Sequence, residues 1–487
     1  MVNETQQHKW NSSVAFLMAM IGSAVGLGNI WRFSYVLYSN GGGAFFIPYF
    51  IAILIMGIPF LILEYSAGFN FKRSFTGVLK KINPKLEVIG WILLLLVFGI
   101  CCYYMVIVGW DIVYLIASPF KAWGANPQAF FTTYVGGGSN ISEITRIIVP
   151  TLIALIAIWF ILWFISRKSI DEGIGRASKI LIPILFVIMA IIIGYSLTLP
   201  GHEIGLNSLL NPDWSSLGRV DIWLAAFSQI VFSLSMGQGI ALTYASYLKD
   251  DARIADYVLL VVGANAGFEI CTAFGVFSIL GYMSYLSGVP VANLVSEGTS
   301  LVFIVFPTIF DAMGWIGQIL GPLFFIAILF AGITSGFGLL EPLAHGIAEK
   351  FNIKRSKSTL YLVIVGFCFS ALFATGVGSY MVSIADSFIN EFGILLLIVV
   401  QCIIFAWLYG TENLQALINR FSKFKVGKTW RFVVKFVLPI FLSYIWIRGA
   451  FSLISSSNSF ELIIDLIITI LIVGASVYFT KRELLSD

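Results

Sequence analysis

Charged residues are scarce in this sequence. Only 11% of its 487 residues are charged, against about 25% in an ordinary soluble protein. In contrast, 59% are hydrophobic and the mean hydropathy is +0.94. The longest polar connections, at 119–146 and 199–221, leave no room for a soluble domain. The composition therefore excludes an ordinary soluble protein and predicts a polytopic membrane protein.

Cysteine and histidine are also few. The five cysteines lie in apolar segments, and the three histidines are far apart, at positions 8, 202 and 345. This distribution excludes a spaced metal motif and gives no support to a disulfide framework. We interpret the cysteines as small apolar side chains of the helices. They are Cys101, Cys102, Cys271, Cys368 and Cys402.

The sequence does contain a series of apolar runs, each long enough to cross about 30 Å of hydrocarbon. Twelve such runs lie at 12–37, 43–69, 88–118, 147–166, 173–198, 222–246, 257–286, 312–345, 358–376, 379–410, 433–454 and 459–480. A backbone in lipid must satisfy its own hydrogen bonds, and a single segment does so only as a helix. The predicted fold is an all-α polytopic membrane protein with 12 transmembrane helices.

The basic residues predict the orientation. If the N-terminal segment 1–11 is cytoplasmic, the loops on its side hold nearly all of the 29 Lys and Arg residues. The exceptions are Lys121, Arg146, Arg219, Arg448 and Arg32, the last of which lies inside the first span. By the positive-inside rule, both termini are cytoplasmic in a multi-pass protein of the plasma membrane. The net charge of +4 reflects this topology, and we expect no nucleic-acid partner.

Two glycine-rich interruptions recur at matching places. GLG at 26–28 lies near the middle of the first span, and GQG at 237–239 lies in the middle of the sixth. Five helices separate them, and an odd number inverts the second copy. The sequence thus predicts inverted five-helix repeats at 12–200 and 201–410, with broken helices 1 and 6, and helices 11 and 12 within 411–487. Close packing of small residues is the alternative explanation for these glycines.

A helix that breaks inside a membrane exposes carbonyl oxygens at the end of its first half and N–H groups at the start of its second. Carbonyls suit Na⁺, and N–H groups suit a carboxylate. Side-chain oxygens of the neighbouring spans extend a hard-oxygen ligand set for a small cation. They belong to Asn29, Ser233, Ser235, Asn265, Thr334 and Ser335. Each hydroxyl also has a structural alternative, because hydroxyls in membrane helices commonly bond their own backbone.

Ionisable residues inside a membrane are expected to have partners or a function. The candidates are Arg32, Glu64, Asp111, Glu269, Glu341 and Asp386. Arg32 lies outward of Asn29, and Asp386 lies near the outer start of the tenth span, so an ion pair between them could close over the site. A snorkelling membrane anchor is the alternative for Arg32.

These features coincide with stretches that are specific to one family. They are Trp10, GSAVGLGNIWRF (22–33), NGGGAFFIPY (40–49), CCYYMVIVGW (101–110), QIVFSLSMGQG (229–239), TYASY (243–247), FAGITSG (330–336) and Asp386. By these stretches, the chain resembles the neurotransmitter:sodium symporters, in particular the bacterial and archaeal amino-acid transporters of the leucine-transporter type. The matches occur in order along helices 1 to 10.

The resemblance implies two Na⁺ sites beside a substrate site, with no organic cofactor and no enzymatic activity. The Na⁺ site that includes the substrate carboxylate would consist of Ala24, Asn29, Ser233 and Asn265. The second Na⁺ site would consist of Gly22, Val25, Ala331, Thr334 and Ser335. The substrate-binding residues would be Ser23, Ala24, Leu27, Gly28, Ile100, Tyr104, Phe232, Ser233, Ser235, Gln238, Ser335 and Leu339.

The resemblance also implies gates on both sides of the site. Tyr104 would hydrogen-bond the substrate carboxylate and Phe232 would cover the pocket, with Arg32 and Asp386 as the outer ion pair. On the inner side, Gln7 stands in place of the family's arginine. The inner gate is therefore expected to consist of Trp10, Lys9, Tyr247 and Glu349.

Single positions bear on the substrate and on chloride. Gly26 stands where monoamine transporters of the family carry an aspartate, which favours an amino acid, and Gln238 with Gly336 suits a polar or large neutral side chain. Glu269 stands where chloride-dependent members have a serine. The hypothesis is chloride-independent transport in which Glu269 is protonated on the empty return step, giving proton counter-transport. A carboxylate within a structural network is the alternative for Glu269.

The resulting prediction is a Na⁺-coupled secondary active symporter that imports a neutral amino acid from across the lipid bilayer by alternating access, with two Na⁺ per substrate. One alternative is a Na⁺-coupled transporter of an osmolyte or another carboxylate-bearing solute. A further alternative is an amino-acid sensor that does not transport, although the sequence contains no signalling domain.

Overall fold

The computed structural model describes residues 9–295 and 298–482, and these are almost entirely helical. Across those two ranges the only extended pairing is an isolated bridge between Ile147 and Thr375. The predicted all-α class is confirmed.

The first and sixth predicted spans are both broken, as the glycines predicted. The first consists of α1 (Ser13–Ala24) and α2 (Leu27–Ser39). Four uninterrupted spans follow it, namely α3 (Gly42–Phe71), α4 (Pro84–Phe120), α5 (Val149–Ser166) and α6 (Asp171–Ser196). The sixth span consists of α7 (Val220–Ser233) and α8 (Ile240–Ser246).

The second half of the chain continues with long helices. They are α9 (Ile254–Ser287), α10 (Gly317–Lys350), α11 (Arg355–Ala371), α12 (Gly378–Phe421), α13 (Lys428–Ser456) and α14 (Ser459–Lys481). Shorter helices occur in the connections, at Phe75–Ile82, Pro127–Phe130, Trp214–Gly218, His202–Leu210, Val291–Leu294 and Leu301–Ala312.

Nine helices of the described residues are long and apolar enough to cross a membrane, and α1 with α2 forms a tenth as a bent pair. The remaining two predicted spans correspond to α11, which has 17 residues, and to α7 with α8, which have 14 and 7. Each of these helices is at or below the length of about 17 residues that spans a bilayer without help. The architecture is consistent with twelve spans, and the number twelve itself stays a prediction.

The helices α4 and α10 form the centre of the bundle, since 78% of the most apolar window of each is buried. Small residues let them approach closely: a Cβ on Gly332 of α10 would lie 2.6 Å from the side chain of Val108 on α4. At the periphery, the corresponding buried fractions of α13 and α14 are only 22% and 11%. These last two helices therefore lie at the edge of the bundle, outside the part that holds the candidate site.

Candidate functional site

The first break removes two carbonyl oxygens from the helical ladder. The axes of α1 and α2 differ by 51°. At the break, the N–H of Gly26 donates to the Ala24 carbonyl at 3.0 Å and to Asn29 Oδ1 at 2.9 Å, so it does not reach the Gly22 carbonyl. The Gly22 carbonyl instead accepts from the Ser335 hydroxyl at 3.2 Å. The expected exposure of backbone oxygen at the break is thus present.

The second break depends on glycine. Between α7 and α8, the backbone has positive φ at Ser235 (+48°), Gly237 (+74°) and Gly239 (+70°). A Cβ on Gly237 would lie 2.1 Å from the side chain of Ile398 on α12, so no larger residue fits unless that side chain moves. Gln401, also on α12, donates from Nε2 to the Gly237 carbonyl at 2.9 Å and holds the unwound segment. We call residues 234–239 the linker.

The two breaks lie next to each other. The Ser235 hydroxyl of the linker donates to the Ser23 carbonyl of α1 at 3.2 Å. The Leu27 N–H at the start of α2 donates to the Tyr104 hydroxyl of α4 at 3.4 Å. Polar backbone from both broken helices therefore converges on α4 and α10 at the middle of the bundle.

Three of the four residues expected to bind the substrate-linked Na⁺ form one buried chain of side-chain amides and a hydroxyl. Asn29 donates from Nδ2 to Asn265 Oδ1 at 2.8 Å, and Asn265 donates from Nδ2 to Ser233 Oγ at 3.2 Å. The fourth, Ala24, ends α1 and lies at the break. Oxygen ligands of this kind fit a hard monovalent or divalent cation, and no group of three or more His, Cys, Asp or Glu side chains suited to a metal occurs in the described residues.

The residues expected at the second Na⁺ site join α1 to α10. A Cβ on Gly22 would lie 2.9 Å from Thr334 Cβ, which makes these helices direct neighbours at this level. The Thr334 hydroxyl donates to the carbonyls of Phe330 and Ala331 at 2.9 and 3.1 Å, the backbone bonding that was the alternative for this residue. Its lone pairs remain able to accept a cation. Val25 follows α1 directly, at the break itself.

A cavity of about 530 Å³ lies between the broken helices, α4, α10 and α12. Eleven of the twelve residues expected to bind substrate line this cavity, and Ser233 is the exception. Ser233 lies behind the wall because its hydroxyl bonds Asn265. Gly336 also lies away from the cavity: a Cβ there would meet Met105 at 2.8 Å and Leu162 at 3.2 Å, so the glycine does not enlarge the cavity.

The expected outer gate residues line the same cavity without an ion pair between them. The guanidinium of Arg32 lies 4.5 Å from the ring centre of Phe232. Asp386 Oδ1 instead accepts from the Tyr103 hydroxyl at 2.7 Å and from Asn390 Nδ2 at 2.9 Å. Sequence reasoning missed Tyr103 and Asn390. The spacing of Asn390 four residues after Asp386 on one helix is the signal that could have identified it.

At the end of the bundle predicted to face the cytoplasm, Trp10 is packed between the first and sixth spans. Its side chain is buried, its Nε1 donates to the Tyr244 carbonyl at 2.8 Å, and its backbone N–H donates to the Tyr247 carbonyl at 3.1 Å. Glu349 is not paired with Lys9: it accepts from the Ser74 N–H at 2.7 Å and lies 3.5 Å from Arg73. Gln7 lies outside the described residues.

A buried ion pair beside Tyr247 was not predicted. Arg355 and Glu341 are both buried and form a two-point ion pair, and the Tyr247 hydroxyl donates to Glu341 Oε1 at 2.9 Å. Arg355 also donates to the carbonyls of Ser166 and Lys168 at 2.7 Å each. The available signal was Glu341 itself, an acidic residue in a span that required a cationic partner.

Glu269 is fully buried one helical turn after Asn265. Its Oε2 accepts from the Tyr49 hydroxyl at 2.5 Å, and its Oε1 accepts from Gln229 Nε2 at 2.7 Å. Both carboxyl oxygens of Glu269 are therefore hydrogen-bonded, and the group lies close to the amide chain that contains Asn29 and Asn265.

Comparison with known proteins yields consistent relatives. Residues 7–134 and 126–462 match the sequence model of the sodium:neurotransmitter symporter family. The chain is 37% identical over 452 residues to an uncharacterized sodium-dependent transporter of Methanocaldococcus jannaschii, covering 93% of this chain and 92% of that protein. It is 29% identical over 484 residues to the sodium-dependent serotonin transporter of Drosophila melanogaster, covering 92% and 77%.

A solved structure is similar over the same length. The crystal structure of MhsT in complex with L-phenylalanine superimposes with a TM-score of 0.77 at 29% identity, covering 91% of this chain and 99% of that chain. The similarity therefore extends over most of the bundle of helices.

Proposed function

This chain belongs to the sodium:neurotransmitter symporter family, and we propose that it imports a neutral amino acid with two Na⁺ ions per substrate, by alternating access and without chloride. It is a sodium-dependent membrane transporter and not an enzyme. The finer assignment depends on the contacts around the two breaks.

The observation that carries the proposal is the space beside Gly26. A Cβ there would lie 3.1 Å from Ser335 Oγ and 3.3 Å from Tyr104 Oη, so any side chain at this position would occupy the space in front of Tyr104. The N-terminus of α2, which begins at Leu27, directs N–H groups and a partial positive charge at the same space. Glycine leaves that space free for the carboxylate of a ligand. The N–H groups at the start of α2 and the hydroxyl of Tyr104 are groups that can hydrogen-bond such a carboxylate.

The acidic groups of the cavity support a zwitterion over a simple amine. In the described wall, the acidic residues are Asp386 and Glu391, both on α12 and away from the break. An amine without a carboxylate would find no counter-charge beside Gly26. MhsT, whose structure holds L-phenylalanine, is a similar protein with an amino acid bound, which also favours this substrate class.

Na⁺ coupling follows from where the two ions would be held. The first would lie at Asn29, Asn265 and the substrate carboxylate, so that its binding and that of the substrate favour each other. The second would lie between the Gly22 carbonyl and the Thr334 and Ser335 hydroxyls, where it would join α1 to α10. Both ions supply positive charge that draws the backbone of the first break against the rest of the bundle.

Alternating access requires that one side is closed while the other is open. Here Arg32 and Asp386 stand apart on the outer side of the cavity, whereas Trp10 is buried against Tyr244 and Tyr247 on the inner side. We interpret this arrangement as a state open to the outside, from which Arg32 and Asp386 would approach once substrate and Na⁺ are bound. Opening to the inside would then separate Trp10 from Tyr247.

The carboxylate of Glu269 supports chloride independence. It lies one turn from Asn265 and accepts hydrogen bonds from Tyr49 and Gln229, so in its ionised form it would supply the negative charge for which a mobile anion would otherwise be needed. The proposed location is the plasma membrane, with Trp10 and the ion pair of Arg355 and Glu341 on the cytoplasmic side.

The test is uptake by purified protein in proteoliposomes. Each labelled amino acid is offered with an inward Na⁺ gradient or an inward K⁺ gradient, in chloride and in gluconate. We expect accumulation of one or more neutral amino acids with Na⁺ only, to the same extent with either anion. Binding without accumulation would favour the sensor, and accumulation of an osmolyte alone would favour the other alternative.

A further inference from the structure

Gln238 is a buried polar residue whose polar group is unused. It lies in the linker between two residues with positive φ, Gly237 and Gly239, lines the cavity, and is only 7% exposed. Within residues 9–295 and 298–482 its side-chain amide makes no hydrogen bond, and Oε1 is shielded from solvent. A buried amide without a partner is costly, so the partner is expected to arrive with the ligand.

A second unused polar group lines the same cavity. The Ser23 side chain is 4% exposed, and its hydroxyl has no hydrogen-bond partner in the part of the chain that the structure describes. A Cβ on Gly338 would lie 2.4 Å from this hydroxyl, so the glycine leaves room for it. The cavity wall thus offers both donors and acceptors away from the N-terminus of α2.

The charged residues of the wall lie elsewhere. Arg32 is five residues beyond Leu27 on α2, and Asp386 and Glu391 are on α12. None is in the linker or on α1, which carry Gln238 and Ser23. Gln238 and Ser23 themselves offer only neutral polar groups, so a charged substrate side chain beside them would gain no ion pair from the linker or from α1, and its burial there is unfavourable.

We propose that the transported amino acid carries a carboxamide side chain, as glutamine does, and that Gln238 selects it by amide-to-amide hydrogen bonding. This inference rests on the proposed function. A carboxamide presents one acceptor and one donor group, and it can satisfy the Oε1 and Nε2 of Gln238 together. A hydroxyl has one oxygen for both roles, and an indole offers a donor alone.

An apolar side chain of the same size would leave the Gln238 amide unpaired when the gates close. The loss of the hydrogen bonds to the Gln238 amide corresponds to a change of about 10- to 100-fold in the ratio of kcat/KM for a carboxamide substrate to kcat/KM for an apolar one. Methionine is the matched competitor, because its side chain is close to that of glutamine in length and shape but lacks the amide. Glutamate is the second competitor, since it differs from glutamine chiefly by its charge.

The experiment measures Na⁺-driven uptake of labelled glutamine, methionine and glutamate by the wild-type protein and by Gln238→Leu in proteoliposomes. For the wild type, we expect kcat/KM for glutamine to exceed that for methionine by at least 10-fold and glutamate to be excluded. Gln238→Leu is expected to lower the glutamine-to-methionine ratio by at least 10-fold while methionine uptake persists. Gln318→Leu, the same change at an exposed position, is the control and leaves the ratio unchanged.

Several results would overturn the proposal. They are a wild-type preference for methionine or for an aromatic amino acid over glutamine, or a Gln238→Leu variant that loses both substrates equally while remaining folded. If that variant does not fold, the wild-type comparison of the three substrates still decides. Na⁺-driven uptake of a different amino acid would overturn only this specificity, whereas no Na⁺-driven uptake of any amino acid would overturn the proposed function as well.

Discussion

Replacing Glu269 by glutamine removes one buried negative charge and keeps nearly the same side-chain shape. The variant's amide oxygen still accepts from one of the two donors, and its N–H group can donate to the Tyr49 hydroxyl oxygen or to Gln229 Oε1 once that partner turns, so the main change is electrostatic. Glu269 follows Asn265, an expected ligand of the substrate-linked Na⁺, by one turn of α9. Side chains at that spacing are about 6 Å apart. The variant therefore measures how strongly the carboxylate holds the ion.

The expected size of the effect follows from Coulomb's law. Two unit charges about 6 Å apart, at an effective dielectric constant of about 20, attract each other by about 3 kcal/mol. This free energy corresponds to about 100-fold in affinity. We expect Glu269→Gln to need about 100 times more Na⁺ than the wild type for half-maximal substrate binding. Glu269→Ser loses the same charge but opens space for an anion, so chloride is expected to restore part of its Na⁺ affinity.

The assay is a Na⁺ titration of labelled substrate binding in chloride and in gluconate. Glu143→Gln is the matched control, because Glu143 forms a surface ion pair with Arg146 far from the site and its loss has little effect on Na⁺. An unchanged Na⁺ requirement in Glu269→Gln would refute the electrostatic reasoning. A wild type that requires chloride would refute the role assigned to Glu269.

Three further predictions concern other parts of the chain. Tyr104→Phe removes a hydroxyl expected to bond a charged carboxylate, so the substrate KM for uptake rises about 10- to 100-fold. Arg355→Gln leaves Glu341 buried without its cation, so the free energy of unfolding falls by about 3–5 kcal/mol, measured by chemical denaturation in detergent. Burial lowers the pKa of Lys72 from 10.5 to about 8, although the nearby Asp250 acts in the opposite direction. Between pH 8 and 10, Lys72 therefore loses its proton in the folded protein but keeps it in the unfolded chain. The melting temperature therefore rises between pH 8 and 10, and Lys72→Met reduces that rise.

The first two have a matched control, and each of the three has a contrary outcome. Tyr361→Phe alters an exposed tyrosine and leaves KM unchanged, and an unchanged KM in Tyr104→Phe would remove this residue from the carboxylate site. Arg448→Gln breaks an exposed ion pair with Asp221 and costs less than about 1 kcal/mol. A similar small loss in Arg355→Gln would contradict the role of the buried pair. For Lys72, a rise that persists in Lys72→Met would assign it to other groups.

The breaks in the first and sixth spans were predictable because their cause is local. Glycines inside an apolar run weaken a helix wherever they occur, and positive φ at Gly237 and Gly239 is a direct result of that freedom. The composition of the cavity wall was largely predictable too, since the residues follow from the family motifs. These parts depend on a few neighbouring residues each.

Contacts between distant segments were harder to predict. In the sequence, Arg355 resembles the other basic residues of the predicted cytoplasmic loops. Only the packing of α10 against α11 brings it next to Glu341. The periodicity of a helix that is apolar all round does not show which face points to the cavity. The sequence therefore could not show that Gly336 faces Met105 and not the cavity. Glu349 had several cations within reach along the chain, and it contacts Arg73, not Lys9.

The covalently attached charge of Glu269 has a consequence for the energetics of accumulation. A carrier that moves two Na⁺ with a zwitterion and one Cl⁻ transfers one net charge per cycle, whereas the same carrier without Cl⁻ transfers two. Each charge is worth about 2.3 kcal/mol at a membrane potential of 100 mV. If Glu269 stayed ionised through the whole cycle, such a carrier would draw about 4.6 kcal/mol from the voltage, enough for a gradient of roughly a thousandfold. A proton carried outward on Glu269 in the empty return step would instead reduce the net transfer to one charge and add the proton gradient as a driving force. The net charge moved per substrate therefore distinguishes a permanently ionised Glu269 from one that is protonated on the return step.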